Sequence, residues 1–97
     1  MKKIRFSRLA KQDLENIRNF YIKINPEVAV TIKDHLKKSF LLLQNNPNIG
    51  HITGDYDVFE WHVPGTKYSI PYMIENQTVI ILRVFDERQN RPDSWKI

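Results

Sequence analysis

Residues 63–85 read VPGTKYSIPYMIENQTVIILRVF, and the fold follows from how this stretch is divided. Pro64-Gly65 marks a turn, and Glu75-Asn76-Gln77 marks another. Between and around them the apolar residues recur with a period near two, the spacing of a strand with one face buried. Three strands are therefore predicted, Tyr56–Val63, Thr66–Ile74 and Thr78–Phe85, joined by connections short enough for hairpins and so forming an antiparallel meander. The last of them is apolar on both faces, with Val79, Ile81 and Phe85 on one and Ile80, Leu82 and Val84 on the other. Such a strand belongs in the sheet centre or under cover on both sides. Pro71 interrupts the middle strand, where it has no N–H to donate. The ladder is expected to be incomplete at that point, at an edge or a bulge.

Upstream the period lengthens. Lys3–Phe6 reads as a short strand and Ser7 as the N-cap of a helix whose apolar stripe is Ala10, Leu14, Ile17, Tyr21 and Ile24. Asn25-Pro26-Glu27 supplies a cap, a proline at the first helical position and an acid near the positive helix end, which starts a second helix. Its stripe is Ala29, Ile32, Leu36, Phe40 and Leu43, and it stops in QNNPNIG. The short connection predicts an antiparallel helical hairpin. The expected class is α+β, with an N-terminal strand and a helical hairpin packed on one face of a small, mainly antiparallel four-stranded sheet. Two helices cover one face only, so the other is left to the tail from Asp86 to Ile97 or to a partner. That uncovered face is expected to be cationic.

The 97 residues form one expected domain, 1–97, near the lower end of what supports its own core. With 41% hydrophobic and 27% charged residues the composition is that of a folded soluble protein. A formal net charge of +4 favours acidic partners, nucleic acid among them. The chain has no cysteine, which excludes disulfides and thiolate metal sites and suits a reducing cytosol. MKKIRFSRLAKQ has no apolar run after its lysines, so no signal peptide or membrane helix is read there, and a cytoplasmic location is expected. No His, Asp or Glu spacing resembles a metal site, and no cofactor is expected.

Three stretches together resemble a known family. FSRLAKQDLENIRNFYIKINPEVA, LLLQNNPNIG and VPGTKYSIPYMIENQTVIILRVFDERQNRP are similar, in this order, to segments of the RelE/ParE superfamily of toxins from bacterial toxin-antitoxin modules, often labelled plasmid-stabilisation proteins. The resemblance spans nearly the whole chain. It implies a toxin neutralised by a cognate antitoxin protein, with one of two actions: cleavage of messenger RNA on the ribosome, or ParE-like poisoning of DNA gyrase without nucleolytic chemistry. It also makes Pro71 a family trait of the PGT-Y-IPY hairpin.

Metal-free RNA cleavage needs a base for the 2′-hydroxyl, an acid for the leaving oxygen and cations for the phosphate. Arg83, Lys67 and Arg88 are the candidate cations, and His62 and Glu60 the candidate proton carriers, with Tyr68 and Glu87 behind them. The resemblance subtracts from this set. Ribonuclease members usually carry arginine inside the second meander strand, where this chain has Ser69. They commonly show Arg before the Glu of the preceding strand, where this chain has Phe59-Glu60, and often His after the last strand, where it has Asp86. Partner binding, with DNA gyrase as the target and contacts at Arg83, Arg88, Arg91, Phe85 and Trp61, is therefore the leading reading. A ribosome-dependent endonuclease and a non-toxic, antitoxin-binding remnant are the alternatives. Arg83, set among aliphatics, must reach an acid, an anion or water, and Glu60 and Glu87 are the candidate acids. His35 is expected to be solvated, and Trp61 and Trp95 to be packing anchors.

Overall fold

The computed structural model describes residues 2–55 and 57–89. The chain runs β1 (Lys3–Phe6), α1 (Arg8–Ile24), α2 (Pro26–Asn45), β2 (His51–Ile52), β3 (Phe59–His62), β4 (Tyr68–Glu75), β5 (Thr78–Ile81) and β6 (Phe85–Asp86). The strands make one sheet in the order β1-β5-β4-β3-β2, with β6 also on β4. The four strands read from the sequence are present, and the sheet gains a two-residue edge, β2, and a break in the last strand. β1 runs parallel to β5, and the other pairings are antiparallel.

The helices start where their caps place them. The Ser7 hydroxyl accepts from the Ala10 N–H at 3.0 Å, and Asn25 Oδ1 accepts from the Glu27 N–H at 3.0 Å. Asn25 ends α1 and begins α2, so a single residue turns the chain. Ala10, Leu36 and Leu43 are buried against Ile70, Tyr72, Val79 and Ile81 of the sheet. Ile24, counted in the α1 stripe by its spacing, is exposed, because it sits in the last turn, where the helix hands over to Asn25. Tyr72 ties the loop after α2 to the sheet: its hydroxyl donates to the Pro47 carbonyl at 2.6 Å and accepts from the Gly50 N–H at 3.0 Å. A Cβ on Gly50 would lie 2.5 Å from that hydroxyl, so the position admits only glycine without rearrangement.

Pro71 finds its explanation in the pairing register. β4 meets β5 with Tyr72 opposite Ile81, and meets β6 with Ser69 opposite Phe85. Between these pairs Ile70-Pro71 oppose Leu82-Arg83-Val84, two residues against three, which is a β-bulge. The Pro71 carbonyl accepts from the Leu82 N–H at 2.9 Å, and beyond that the regular ladder stops. The Leu82 carbonyl accepts instead from the Ser7 hydroxyl at 2.7 Å, and the Val84 N–H donates to Asp13 Oδ2 at 3.0 Å. The missing proline N–H thus faces a place where helix α1 has replaced strand pairing.

The bulge corrects the predicted faces of the last strand. Val79 and Ile81 enter the main core, but one extra residue then brings Val84, not Phe85, into it. Ile80 and Leu82 lie on the other face with Val58 and Met73, in a second buried cluster. That face is therefore apolar at its middle rather than a continuous cationic surface. The expected tail cover, from residue 90 onward, lies outside the described residues.

Removing Asp13 leaves both a guanidinium and a backbone N–H without their acceptor, whereas removing Arg83 frees only a carboxylate that still holds Val84. Asp13→Ala is accordingly expected to cost more than Arg83→Met, by about 1–2 kcal/mol in urea unfolding, on the scale of one part-buried unmade hydrogen bond. Tyr72→Phe is expected to cost about 1–3 kcal/mol for the unsatisfied Pro47 carbonyl and Gly50 N–H, with its fold intact by circular dichroism.

Candidate functional site

The residues singled out for chemistry come from separate stretches, and the β3–β4 turn with β6 brings most of them together. Gly65 takes φ +78°, the left-handed region open to glycine. Thr66 then closes the turn, its hydroxyl donating to the Val63 carbonyl at 2.9 Å and accepting from the Tyr68 N–H at 3.0 Å. The Glu87 N–H donates to the Lys67 carbonyl at 2.8 Å, which sets residues 85–88 alongside residues 67–69. His35 of α2 packs over this turn, with its ring 3.0 Å from where a Gly65 Cβ would lie. It is half-buried there, a correction to the solvated position expected of it.

On the helix side of this junction a carboxylate is surrounded by cations. Asp86 Oδ2 lies 3.4 Å from Lys67 Nζ, and Asp86 Oδ1 accepts from the Arg88 Nε at 3.3 Å and the Arg88 backbone N–H at 2.9 Å. Lys67 Nζ also stands 5.9, 5.8 and 5.7 Å from the ring centroids of Phe20, Tyr21 and Tyr68, within cation–π range of all three. Burial pushes the Asp86 carboxyl upward, but the hydrogen bonds from Arg88 and Lys67 outweigh it and hold the group below its ordinary range. Burial, reinforced by the hydrogen bond to Tyr21, drives the Tyr68 phenol upward, so it stays protonated near neutrality.

A second group lies across the strand. His62 pairs with Ser69, and Ser69 with Phe85, so these side chains share the face away from the helices. Glu87 Oε1 accepts from His62 Nδ1 at 2.9 Å and from the Ser69 hydroxyl. Burial opposes ionisation of Glu87, yet these two donors bring its carboxyl below the usual range. An ionised Glu87 fixes the His62 tautomer with Nδ1 protonated, leaving Nε2 as the basic atom. Ser69 is fully buried and in no position to act as a nucleophile. Glu60 is opposite Pro71 on the same face.

Arg83 points elsewhere. Its Nε donates to Asp13 Oδ2 at 2.7 Å and its Nη2 to Asp13 Oδ1 at 3.0 Å, a two-pronged pair that raises the guanidinium further. The acid is Asp13, where the sequence pointed to Glu60 or Glu87. Trp61 turns to α2 and donates from Nε1 to the Ser39 hydroxyl at 3.1 Å. Phe85 is buried at the edge of the second group, and Arg91 and Trp95 lie outside the described residues. The reading from sequence missed Phe20, Tyr21 and Asp13. Asp13 did leave a signal: it lies three residues from Ala10 and four from Ile17, so it borders the apolar stripe of α1 instead of facing away from it.

Between the two helices runs an apolar cleft of about 570 Å³, lined by Ile17, Tyr21, Ala29, Val30, Ile32 and Phe40 among others. Among the described residues the charged groups on it are Arg18, Lys33 and Lys37, all cations. No described helix is long and apolar enough to cross a membrane.

A profile of the family described as ParE toxin of type II toxin-antitoxin system, parDE, matches residues 4–91. Among solved structures the chain is similar to the chromosomal ParDE system of P. aeruginosa, with 24% identity and TM-score 0.77 over 89% of this chain and 96% of that one. It is similar to the isolated E. coli RelE toxin at 15% identity and TM-score 0.67, over 96% of this chain and 89% of that one. A copper-bound mutant toxin from Helicobacter pylori aligns at 14% identity and TM-score 0.60, over 91% of this chain and 97% of that one. No curated protein sequence matches the chain.

Because Asp86 and Glu87 are depressed in the folded state, their stabilisation is complete above the ordinary carboxylate pKa of about 4 and is lost as pH falls through their folded values. Asp86→Asn and Glu87→Gln are expected to lower the melting temperature at pH 7, with the gap to wild type closing as the pH is taken down toward about 2. A gap that stays constant with pH would contradict the assigned contacts.

Proposed function

The chain belongs to the ParE toxin family of type II toxin-antitoxin systems, and from that premise we propose that it acts in the cytoplasm by binding a macromolecular target, DNA gyrase, rather than by cutting RNA. The observation that carries this reading is where the cations go. Lys67 and Arg88 are engaged by Asp86, and Arg83 by Asp13. A phosphodiester in flight toward its transition state needs cations whose charge is not already answered by a carboxylate. The proton carriers also stand apart from them: His62 and Glu87 are on the face away from the helices, and Lys67 and Arg83 turn toward α1.

A cognate antitoxin is the second partner in this reading, and the cleft between α1 and α2 is its docking place. Apolar walls whose charged rim, among the described residues, is Arg18, Lys33 and Lys37 suit an amphipathic helix with acidic flanks. Ile22 and Val30 present exposed apolar surface at that cleft.

The His62–Glu87 pair is the observation that favours the second reading, a ribosome-dependent endonuclease with His62 Nε2 as its base. The two readings separate in one comparison. Purified protein should inhibit gyrase supercoiling and leave transcripts whole in a translating extract; whole transcripts with unimpaired supercoiling at growth-inhibiting doses would sink the gyrase assignment, and cut transcripts lost in His62→Ala would establish the enzyme. Overexpression that does no harm would leave the antitoxin-binding remnant.

The double substitution Ile22→Asp with Val30→Asp, both at exposed positions, should keep the fold and weaken antitoxin binding by at least about tenfold in calorimetry, two apolar contacts being worth roughly 1–3 kcal/mol.

A further inference from the structure

Asp86 occupies its surroundings as a bound anion would. Its side chain is 9% exposed and receives the Arg88 N–H at 2.9 Å, the Arg88 Nε at 3.3 Å and Nη2 at 3.4 Å, with Lys67 Nζ at 3.4 Å. A backbone N–H, a guanidinium and an ammonium converging on one oxyanion form the donor set that proteins use for phosphate and carboxylate ligands. Lys67 does not depend on Asp86 for its position, since the rings of Phe20, Tyr21 and Tyr68 flank its ammonium independently. The Lys67 carbonyl is also fixed by the Glu87 N–H at 2.8 Å. Lys67 therefore keeps its place when the carboxylate is gone, while the Arg88 guanidinium, 69% exposed and held here by Asp86, is released to meet another anion.

We propose that Asp86 is an internal counter-ion filling an oxyanion site made by Lys67, the Arg88 guanidinium and the Arg88 N–H, and that it thereby excludes the backbone of single-stranded RNA from this surface. Phosphodiester is the ligand class because the donors are charged and convergent and because an aromatic ring lies beside them. Phe20 is 52% exposed next to Lys67, a platform on which a base could stack while its phosphate takes the place of the carboxylate. The net charge of +4 would draw any polyanion to the chain. Asp86 converts the converging cations from a phosphate site into a closed internal contact. The consequence is selectivity by self-occupancy, in which a basic protein keeps a protein target and leaves RNA unbound. The proposal rests on the reading of the chain as a protein-binding toxin that leaves RNA whole and deepens it; equal affinities in the test below would remove the proposal without touching that reading.

The test uses the whole chain and a fluorescein-labelled 12-nucleotide RNA of mixed sequence, followed by anisotropy at low and high salt. Asp86→Asn keeps the shape of the side chain and an acceptor for the Arg88 N–H. Asp34→Asn, on the exposed side of α2, removes the same charge at a distance. Asp86→Asn should bind the RNA at least tenfold tighter than wild type and Asp34→Asn, with a steeper salt dependence, and Asp86→Asn with Lys67→Met should lose that gain. Equal affinities for Asp86→Asn and Asp34→Asn, or a gain that survives Lys67→Met, overturn the proposal. Asp86→Ser gives the same comparison should the asparagine variant fail to fold. Wild type alone supplies an independent check: tight RNA binding that Lys67→Met weakens tenfold would mean that the site is already open, and the proposal is then wrong.

Discussion

The carboxylate of Asp13 is the group on which the arrangement of the sheet's C-terminal half depends. A β-bulge at Leu82-Arg83-Val84 opens the ladder opposite Pro71, and an opened ladder in a protein interior must have its backbone groups satisfied from elsewhere. Helix α1 does this twice, through the Ser7 hydroxyl on the Leu82 carbonyl and through Asp13 on the Val84 N–H. The same carboxylate receives Arg83 in two prongs. One acid thus joins helix to sheet, ends the regular part of the last strand and removes a guanidinium from the surface.

The bulge also decides what the terminal segment offers to the outside. By inserting one residue it sends Val84 into the main core and sets Phe85 beside Ser69, so that Asp86 faces Lys67 and Glu87 faces His62. Two adjacent acids then answer cations or donors on opposite sides of the same strand. Without Asp86 the Lys67 and Arg88 cations would lose their counter-ion, and without Glu87 the His62 ring and the Ser69 hydroxyl would lose their acceptor. With both present, the described part of this junction is internally matched, and much of the exposed apolar surface lies on the helical hairpin, at Phe20, Ile22, Ile24, Val28, Val30, Leu41 and Leu42, with Ile49 and Ile52 exposed before and in β2. A surface distributed in this way is suited to recognition by contact, since apolar area supplies affinity and the engaged charges add little attraction for anions.

Much of the fold was legible because it is written in local terms. Ser7 and Asn25 are caps through their own side-chain oxygens, the two helical stripes repeat at the right interval, and the Pro-Gly and Asn-Gln turns separate strands of the right length. The candidate site was legible in its membership but not in its pairing. Lys67, His62, Arg83 and Arg88 were all identifiable as charged or titratable groups near the hairpin, yet apart from Arg88, which meets Asp86 two residues away, their partners are distant in sequence or displaced in register. Arg83 and Asp13 are 70 residues apart, and Lys67 meets rings from α1.

The amino-acid order by itself determined the α+β class, the helical hairpin, the three-stranded meander and a defect in the ladder at Pro71, because caps, periodicity and a missing N–H act within a few residues. Only the tertiary structure decided which way the charges face. Alternation along a strand predicts a face as long as the register is unbroken, and a single extra residue at the bulge reverses it for everything that follows. Where that residue falls depends on whether Ser7 and Asp13, brought close by the packing of α1 on the sheet, can satisfy the backbone groups it exposes.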